Sequence, residues 1–420
     1  LCHGAAGVAS RTPSRVLFPG AGGAAARGAS GRSPSARSRR QRIESIIGRD
    51  RGGRRSPNII PGGTVRVGLL GLPASGKTTL FNLLTLSKAE TGAFSGGKAE
   101  PHLAVIKVPD ARIDQLSAIF EPKKTTYAEI AFVDMAGLPG DPAARRGQTA
   151  DSFKVLRDTD ALALVVRAFA DPAVPHPHET VDPARDLDEL TTELIFADLD
   201  LVTRRLERLV KEAKNDPKLK KEESILERVR EGLEGEQTVR SLDLAPEDAR
   251  AIAGFRFMTE KALLVVANTS GGAEGDVALS SAAAARGLPS MELQVASEAE
   301  IAELPEAEQA AFLADIGVTE SGRARFIRRA YEILDLISFF TVGPDEVRAW
   351  TIRRGTIALH AAGKIHSDIE RGFIRAEVAR YEDVLAHRGM KGLKEKGLLR
   401  LEGKEYVVQD GDIAHFRFSV

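Results

Sequence analysis

The chain has 420 residues, with 59 Lys and Arg balanced by 59 Asp and Glu, and a single cysteine, Cys2. That length can bury a large core and points to about two or three domains, while one cysteine excludes an intramolecular disulfide and any cysteine-built metal site. No apolar run approaches the roughly 18–20 residues that span a bilayer, so no membrane partner is expected.

The zero net charge conceals an asymmetry. Residues 1–60 carry twelve Arg, no Lys and only Glu44 and Asp50, an excess of ten positive charges that the remainder offsets with ten negative ones. A body with that balance is not expected to hold DNA through bulk positive charge. Residues 1–62 are rich in Ala, Gly, Ser and Arg, densest at Arg37-Ser38-Arg39-Arg40-Gln41-Arg42, and offer too little apolar surface to offset chain entropy. A disordered basic tail is expected there. A transit peptide shares this composition, but the chain opens at Leu1, and translated upstream sequence or a fragment's edge is the preferred explanation.

From residue 64 apolar runs of strand length alternate with helical stretches, the pattern of an α/β domain with a mostly parallel sheet. The expected strands are 64–70, 103–108, 128–133, 161–167, 262–267 and 290–295. After the first comes Gly71-Leu72-Pro73-Ala74-Ser75-Gly76-Lys77-Thr78-Thr79, a full match to G-x-x-x-x-G-K-[ST]. A strand feeding a tight loop that opens a helix aims backbone N–H groups and the helix N-terminus at one spot, which binds phosphate. Gly71 and Gly76 allow the backbone angles and close approach this needs. The cradle is expected to run from Pro73, Ala74, Ser75 and Gly76 through Lys77, Thr78 and Thr79. Lys77 should reach the β- and γ-phosphates and Thr78 should ligate Mg²⁺. Asn82, on the following helix, reads as a surface residue, as do Lys123 and Lys124.

The third strand ends in Asp134-Met135-Ala136-Gly137, a D-x-x-G motif. Asp134 can hold Mg²⁺ through a water and the Gly137 N–H can contact the γ-phosphate, which marks a GTPase-type switch. Lys77, Asp134 and Gly137 are therefore the expected catalytic set, with Thr78 and Asp134 as metal ligands. Leu138 follows, where small GTPases place the glutamine that orients water. Leucine cannot do this, so hydrolysis should be slow. It should depend on another side chain, the phosphate itself, a partner or a monovalent cation such as K⁺.

Two histidines, His176 and His178, stand in a Pro-rich stretch read as an ordinary exposed loop, since zinc would want three or four ligands. Next, Ile195, Leu199, Val202, Leu206 and Leu209 form a narrow apolar stripe, Asn215-Asp216-Pro217 breaks the helix, and Leu226, Val229 and Leu233 continue the stripe on a second arm. An antiparallel helical hairpin is expected, either a docking arm or a stabilising appendage. The strand 262–267 leads to Asn268-Thr269-Ser270-Gly271, where a guanine reader would carry Asn-Lys-x-Asp. Asn268 is an expected nucleotide contact, but Gly271 offers no carboxylate, and Glu274 or Asp276 would have to serve in a GTP-specific protein. The last eighty-odd residues are strand-rich and Gly-punctuated, a separate α+β domain.

The chain from about residue 64 onward resembles the YchF / Obg-like ATPase family. The P-loop and Asp134-Met135-Ala136-Gly137-Leu138 match its central motifs. Ala361-Ala362-Gly363-Lys364-Ile365-His366-Ser367-Asp368-Ile369-Glu370-Arg371-Gly372-Phe373 resembles the signature of a TGS domain, and Gly411-Asp412-Ile413 agrees with it. The resemblance implies a P-loop NTPase domain over 63–188 and 251–336, a helical-hairpin insertion over 189–250 and a C-terminal β-grasp (TGS) domain over 337–420. It further implies a cytoplasmic Mg²⁺-dependent hydrolase that prefers ATP to GTP and meets ribosomes or ribosomal RNA through the TGS domain and hairpin. His366 is read either as an RNA contact or as a structural residue.

Departures from the pattern mark a divergent branch. Gly271 replaces the glutamate of Asn-x-x-Glu, Lys98-Ala99-Glu100-Pro101-His102 stands where Thr-x-Glu-Pro-Asn is typical, and Gln294-Val295-Ala296 replaces a Ser-Ala-Lys loop. The Gly-rich stretch that usually follows D-x-x-G is Pro139-Gly140-Asp141-Pro142. A GTPase of the same design and a non-hydrolysing nucleotide-bound adaptor remain the alternatives.

Overall fold

The computed structural model describes residues 64–86, 102–135, 153–212, 216–271 and 274–419, with the side chains of 274–276 outside that description. The expectations for residues 1–62, Lys98, Gly137, Leu138, Pro139–Pro142, Glu274 and Asp276 therefore lie outside the described residues.

Seven strands begin the chain: β1 (Val65–Leu70), β2 (His102–Lys107), β3 (Lys124–Thr126), β4 (Glu129–Asp134), β5 (Ala161–Arg167), β6 (Ala262–Asn268) and β7 (Ser290–Leu293). Six of them form one sheet in the order β2-β4-β1-β5-β6-β7. All its pairings are parallel except β2 with β4. Every residue of β5 and β6 is buried, as a parallel sheet covered on both faces requires. The two-residue period then divides β5 between two cores. Ala161, Ala163 and Val165 pack on one face, against α1 (Lys77–Thr85) and the later helices. Leu162, Leu164 and Val166 pack on the other, with Leu187, Leu190 and Leu194.

Those three leucines belong to α3 (Pro183–Glu212), which follows α2 (Ala111–Phe120) in the labelling used here. The first half of α3 covers the sheet. Its second half pairs with α4 (Pro217–Glu234), and Val202, Leu206 and Leu209 meet Leu226, Val229 and Leu233 in a core of their own. The hairpin thus has no hinge at its root: one unbroken helix serves both the nucleotide sheet and the arm.

The expected strand 290–295 is shorter than read. β7 stops at Leu293, and Val295 opens α6 (Val295–Ala302), which follows α5 (Glu274–Ala285). The Glu298 carboxylate reaches back to the Gln294 N–H at 3.1 Å and satisfies one of the donors a helix start leaves open, which favours helix over strand at this point.

A second sheet forms from β8 (Leu336–Thr341), β9 (Glu346–Arg353), β10 (Phe373–Arg380), β11 (Arg400–Glu402) and β12 (Asp412–Phe418). After α7 (Gly322–Ile333) delivers the chain, the order is β11-β10-β12-β8-β9, with β12 parallel to β8 and the outer pairs antiparallel. This is a β-grasp arrangement. Its helix α8 (Ala358–Ile365) lays Ala358, Ala361 and Ala362 on Ile337, Phe339 and Phe416. Residue 411 needs a glycine: its φ is +86°, and its N–H binds the Ser338 carbonyl at 2.8 Å to turn the chain into β12. The sheet does not end with its own strands. β3, from the nucleotide domain, adds to β9 in parallel, pairing Lys124, Thr125 and Thr126 with Glu346, Val347 and Arg348.

Candidate active site at the phosphate loop

The loop between β1 and α1 is held by contacts that exclude larger side chains. A Cβ on Gly71 would stand 2.4 Å from the Val165 carbonyl oxygen and 2.6 Å from Ser75 Oγ. Gly76 has φ +90°, and a Cβ there would meet Asn268 Nδ2 at 2.2 Å, so both glycines are dictated by neighbours as well as by the turn. Ala74 also lies at positive φ and is exposed, Pro73 is half-buried, and Ser75 is buried. α1 begins at Lys77, and its first turn carries no acidic residue, which leaves the positive helix end clear for an anion.

Lys77 is buried, and its Nζ donates to the Leu72 carbonyl at 2.7 Å. Burial pushes its pKa down to about 8, against the opposing pull of Asp134. Thr78 Oγ1 donates to Asp134 Oδ2 at 3.0 Å, which joins the helix start to the end of β4. Asp134 is buried, and its pKa is raised by that burial, opposed by the Thr78 hydrogen bond, by Lys77 and by His102. Its second oxygen, Oδ1, is buried without a hydrogen-bond partner among the described residues. An orphaned carboxylate oxygen costs free energy unless a cation or its water completes it, and a hydroxyl beside an aspartate is an oxygen donor set of the kind Mg²⁺ takes. The residues present fit that ion.

Asn268 closes the site from the other side. Its Nδ2 donates to the Ser75 carbonyl at 3.0 Å, and its Oδ1 accepts from the Val295 N–H at 3.4 Å. The structure thus brings Lys77, Thr78, Asp134 and Asn268 together around Ser75 and Gly76. Thr79 follows, half-buried, in the first turn of α1. Asn82 is half-buried rather than a plain surface residue, whereas Lys123 and Lys124 are exposed.

Arg167 escaped the sequence reading, and His102 was read only as a departure from the Thr-x-Glu-Pro-Asn pattern. His102 opens β2 opposite Asp134, with Nδ1 3.9 Å from Asp134 Oδ2. Arg167, at the end of β5, is buried, and no carboxylate among the described residues is hydrogen-bonded to it. Its Nε and two Nη groups donate to the Phe169, Val174 and Asp171 carbonyls and so shape the loop that leaves the sheet. Only the position of Arg167 at the end of an apolar strand could have flagged it.

A family profile described as "50S ribosome-binding GTPase" matches residues 66–203, and one named YchF-GTPase_C, described as a protein of unknown function, matches residues 336–419. The ribosome-binding ATPase YchF of Bacillus subtilis is 40% identical over 361 residues, covering 84% of this chain and 99% of that protein. The chain belongs to the YchF family. The YchF of Pasteurella multocida is 41% identical over 360 residues, with the same coverage. In structure, the YchF GTPase of Schizosaccharomyces pombe superposes with a TM-score of 0.72 at 31% identity, over 86% of this chain and all of that one.

Within this YchF chain the loop histidines differ from their reading. His176 is buried rather than exposed, and its Nε2 meets Asp186 Oδ2 at 2.8 Å. His178 Nε2 lies 2.6 Å from Glu189 Oε2. Among the described residues His178, Asp186 and Glu189 are close enough to share a metal ion. Both oxygens of Asp186 are already engaged, however, one by His176 and the other by Arg185 at 2.8 Å, so the cluster pins the loop to α3. His366 caps α9 (Ser367–Arg371), its Nδ1 accepting the Asp368 N–H at 3.1 Å. No helix among the described residues is long and apolar enough to cross a membrane.

Proposed function

We propose that this nucleotide hydrolase of the YchF family binds ATP in preference to GTP with Mg²⁺ at residues 71–79, hydrolyses it slowly, and uses nucleotide state to govern its association with ribosomes in the cytoplasm. The observation that carries the reading is the group of Lys77, Thr78 and Asp134 behind a glycine loop, with the Asp134 Oδ1 unsatisfied. Lys77 exchanges the Leu72 carbonyl for the β- and γ-phosphates, which add to Asp134 in offsetting its buried charge. Backbone N–H groups of Gly76 to Thr79, at the positive end of α1, hold the phosphates. Thr78 and Asp134 would hold Mg²⁺, which would supply electrostatic neutralisation of the charge that develops on the phosphates.

Ribosome association rests on the names of the relatives, and two surfaces support it. The hairpin projects from the sheet on a continuous helix, and Lys391, Lys394 and Lys396 are exposed cations on the β-grasp domain, suited to phosphate contact. The fission-yeast relative carries the name GTPase, so GTP is the competing substrate.

Steady-state hydrolysis of ATP and GTP by the full chain, with Mg²⁺, with and without K⁺ and ribosomes, tests this reading. Slow turnover of ATP over GTP, quickened by ribosomes and impaired by Asp134→Asn more than binding is, supports it. Faster GTP turnover makes the protein a GTPase, and binding without hydrolysis in any condition makes it an adaptor.

A further inference from the structure

We propose that the cavity at the root of the hairpin is a second ligand site, which takes a small organic carboxylate with an apolar body. The cavity has a volume of about 760 Å³, within the range of small-molecule sites. It lies where the second arm returns to the sheet, walled by α3, residues 236–241, the start of β6 and the turn 286–289. β6 opens at Ala262 in this cavity and ends at Asn268 beside the phosphate loop. The strand therefore sets the two sites at opposite edges of the sheet, about 20 Å apart.

The cavity combines an apolar lining with a buried cation. Leu194, Ile195 and Leu263 are buried in its wall, and Leu288 and Ile333 are half-buried beside them. Lys261 lines the same space. Its Nζ donates to the Arg157 carbonyl at 3.0 Å and to the Thr159 carbonyl, which leaves one ammonium N–H without a partner among the described residues. Burial pushes its pKa down to about 8, so the ammonium gains from any anion that reaches it. Two carboxylates near it are committed elsewhere: Asp160 accepts the Arg66 N–H at 2.8 Å, and Asp198 binds Arg157 and the 258–259 turn.

Arg240 supplies a second cation. Its backbone N–H donates to the Thr259 carbonyl at 3.3 Å, which holds it against the turn that carries Lys261. Among the described residues its guanidinium has no hydrogen bond or ion pair. Of the two acids that line the cavity, Asp188 is paired with Arg286, and Glu236 is exposed. An ammonium and a guanidinium fork above aliphatic side chains suit a carboxylate on an apolar body. A cationic ligand would meet two like charges, and a polyphosphate would leave the apolar wall uncovered.

Fluorescence titration of the full chain with 2-naphthoate and with its uncharged isostere 2-naphthamide tests the site. The proposal expects one saturable site that binds the naphthoate roughly tenfold more tightly than the amide and that neither ATP nor inorganic tripolyphosphate displaces. Arg240→Ala, at an exposed side chain, should remove most of that preference, and Arg240→Lys should restore part of it. Thr192→Trp, which fills the cavity from an exposed position on α3, should abolish binding of both probes. Thermal unfolding reports on folding, and the two Arg240 variants decide alone where Thr192→Trp does not fold. Absence of saturable binding to wild type, equal affinity for the two probes, or displacement by ATP overturns the proposal. Naphthoate binding unaltered in the folded variants overturns it as well, because the probe would then lie elsewhere.

Discussion

The Lys77 ammonium is buried against a carbonyl, and its pKa of about 8 lies below the 10.5 of a free lysine. The folded value is depressed, so between these two values the unfolded chain binds more protons than the folded one. Stability from this residue rises with pH across that window, and below it the full cost of the buried charge is present. Triphosphate restores the charge. Binding at about pH 9 should therefore take up a proton, and binding at about pH 7 should take up almost none. Calorimetry of ATP binding in two buffers of different ionisation enthalpy reads this directly, and equal enthalpies at both pH values would refute the assigned environment. At this scale the phosphate loop was legible because its chemistry is local: nine consecutive residues supply the turn, the cation and the hydroxyl. Gln294 was visible only as a departure from the family pattern, since its partners Ile316 and Glu298 are brought to it by the fold.

Helix α3 shows what an element hides from its own sequence. Its apolar stripe announced a hairpin, but Asp198, fully buried on it, lies outside that stripe and was not singled out. In the fold its carboxylate accepts from Arg157 at 2.9 Å, from the backbone N–H groups of Met258 and Thr259, and from the Thr259 hydroxyl. It locks the root of the arm to the sheet. Asp198→Ala strands the Arg157 cation and these donors, and should cost about 3–5 kcal/mol in denaturant unfolding. A loss below about 1 kcal/mol would show that the arm is held by its apolar core alone. β3 was missed for a related reason. Three residues carry no period, and its partner β9 lies more than two hundred residues away in sequence.

At the scale of the whole molecule, that pairing joins the nucleotide and β-grasp domains through one sheet. Arg112 on α2 reinforces the join: it binds Asp110 and, at 3.0 Å, Asp410, and its guanidinium lies 5.1 Å from the Phe340 ring centre. Tyr381 donates to Gln115 at 2.6 Å beside it. β2 starts opposite Asp134 and leads into α2 and then β3, so the phosphate-loop end of the molecule and the β-grasp sheet are close in the chain. Arg112→Ala should speed amide exchange at 124–126 and 346–348 and leave ATP affinity within about twofold, because the lost ion pair is half-exposed. Unchanged exchange would mean that apolar packing alone holds the domains. This continuity was beyond a reading that divides a chain into consecutive domains.

Equilibrium titration of the nucleotide-free full chain and of Lys77→Ala with ATP and GTP, in Mg²⁺, tests the central assignment most directly. The account predicts a single site that binds ATP more tightly than GTP, with both lost in Lys77→Ala. Micromolar ATP affinity surviving in that variant would place the nucleotide somewhere other than the phosphate loop.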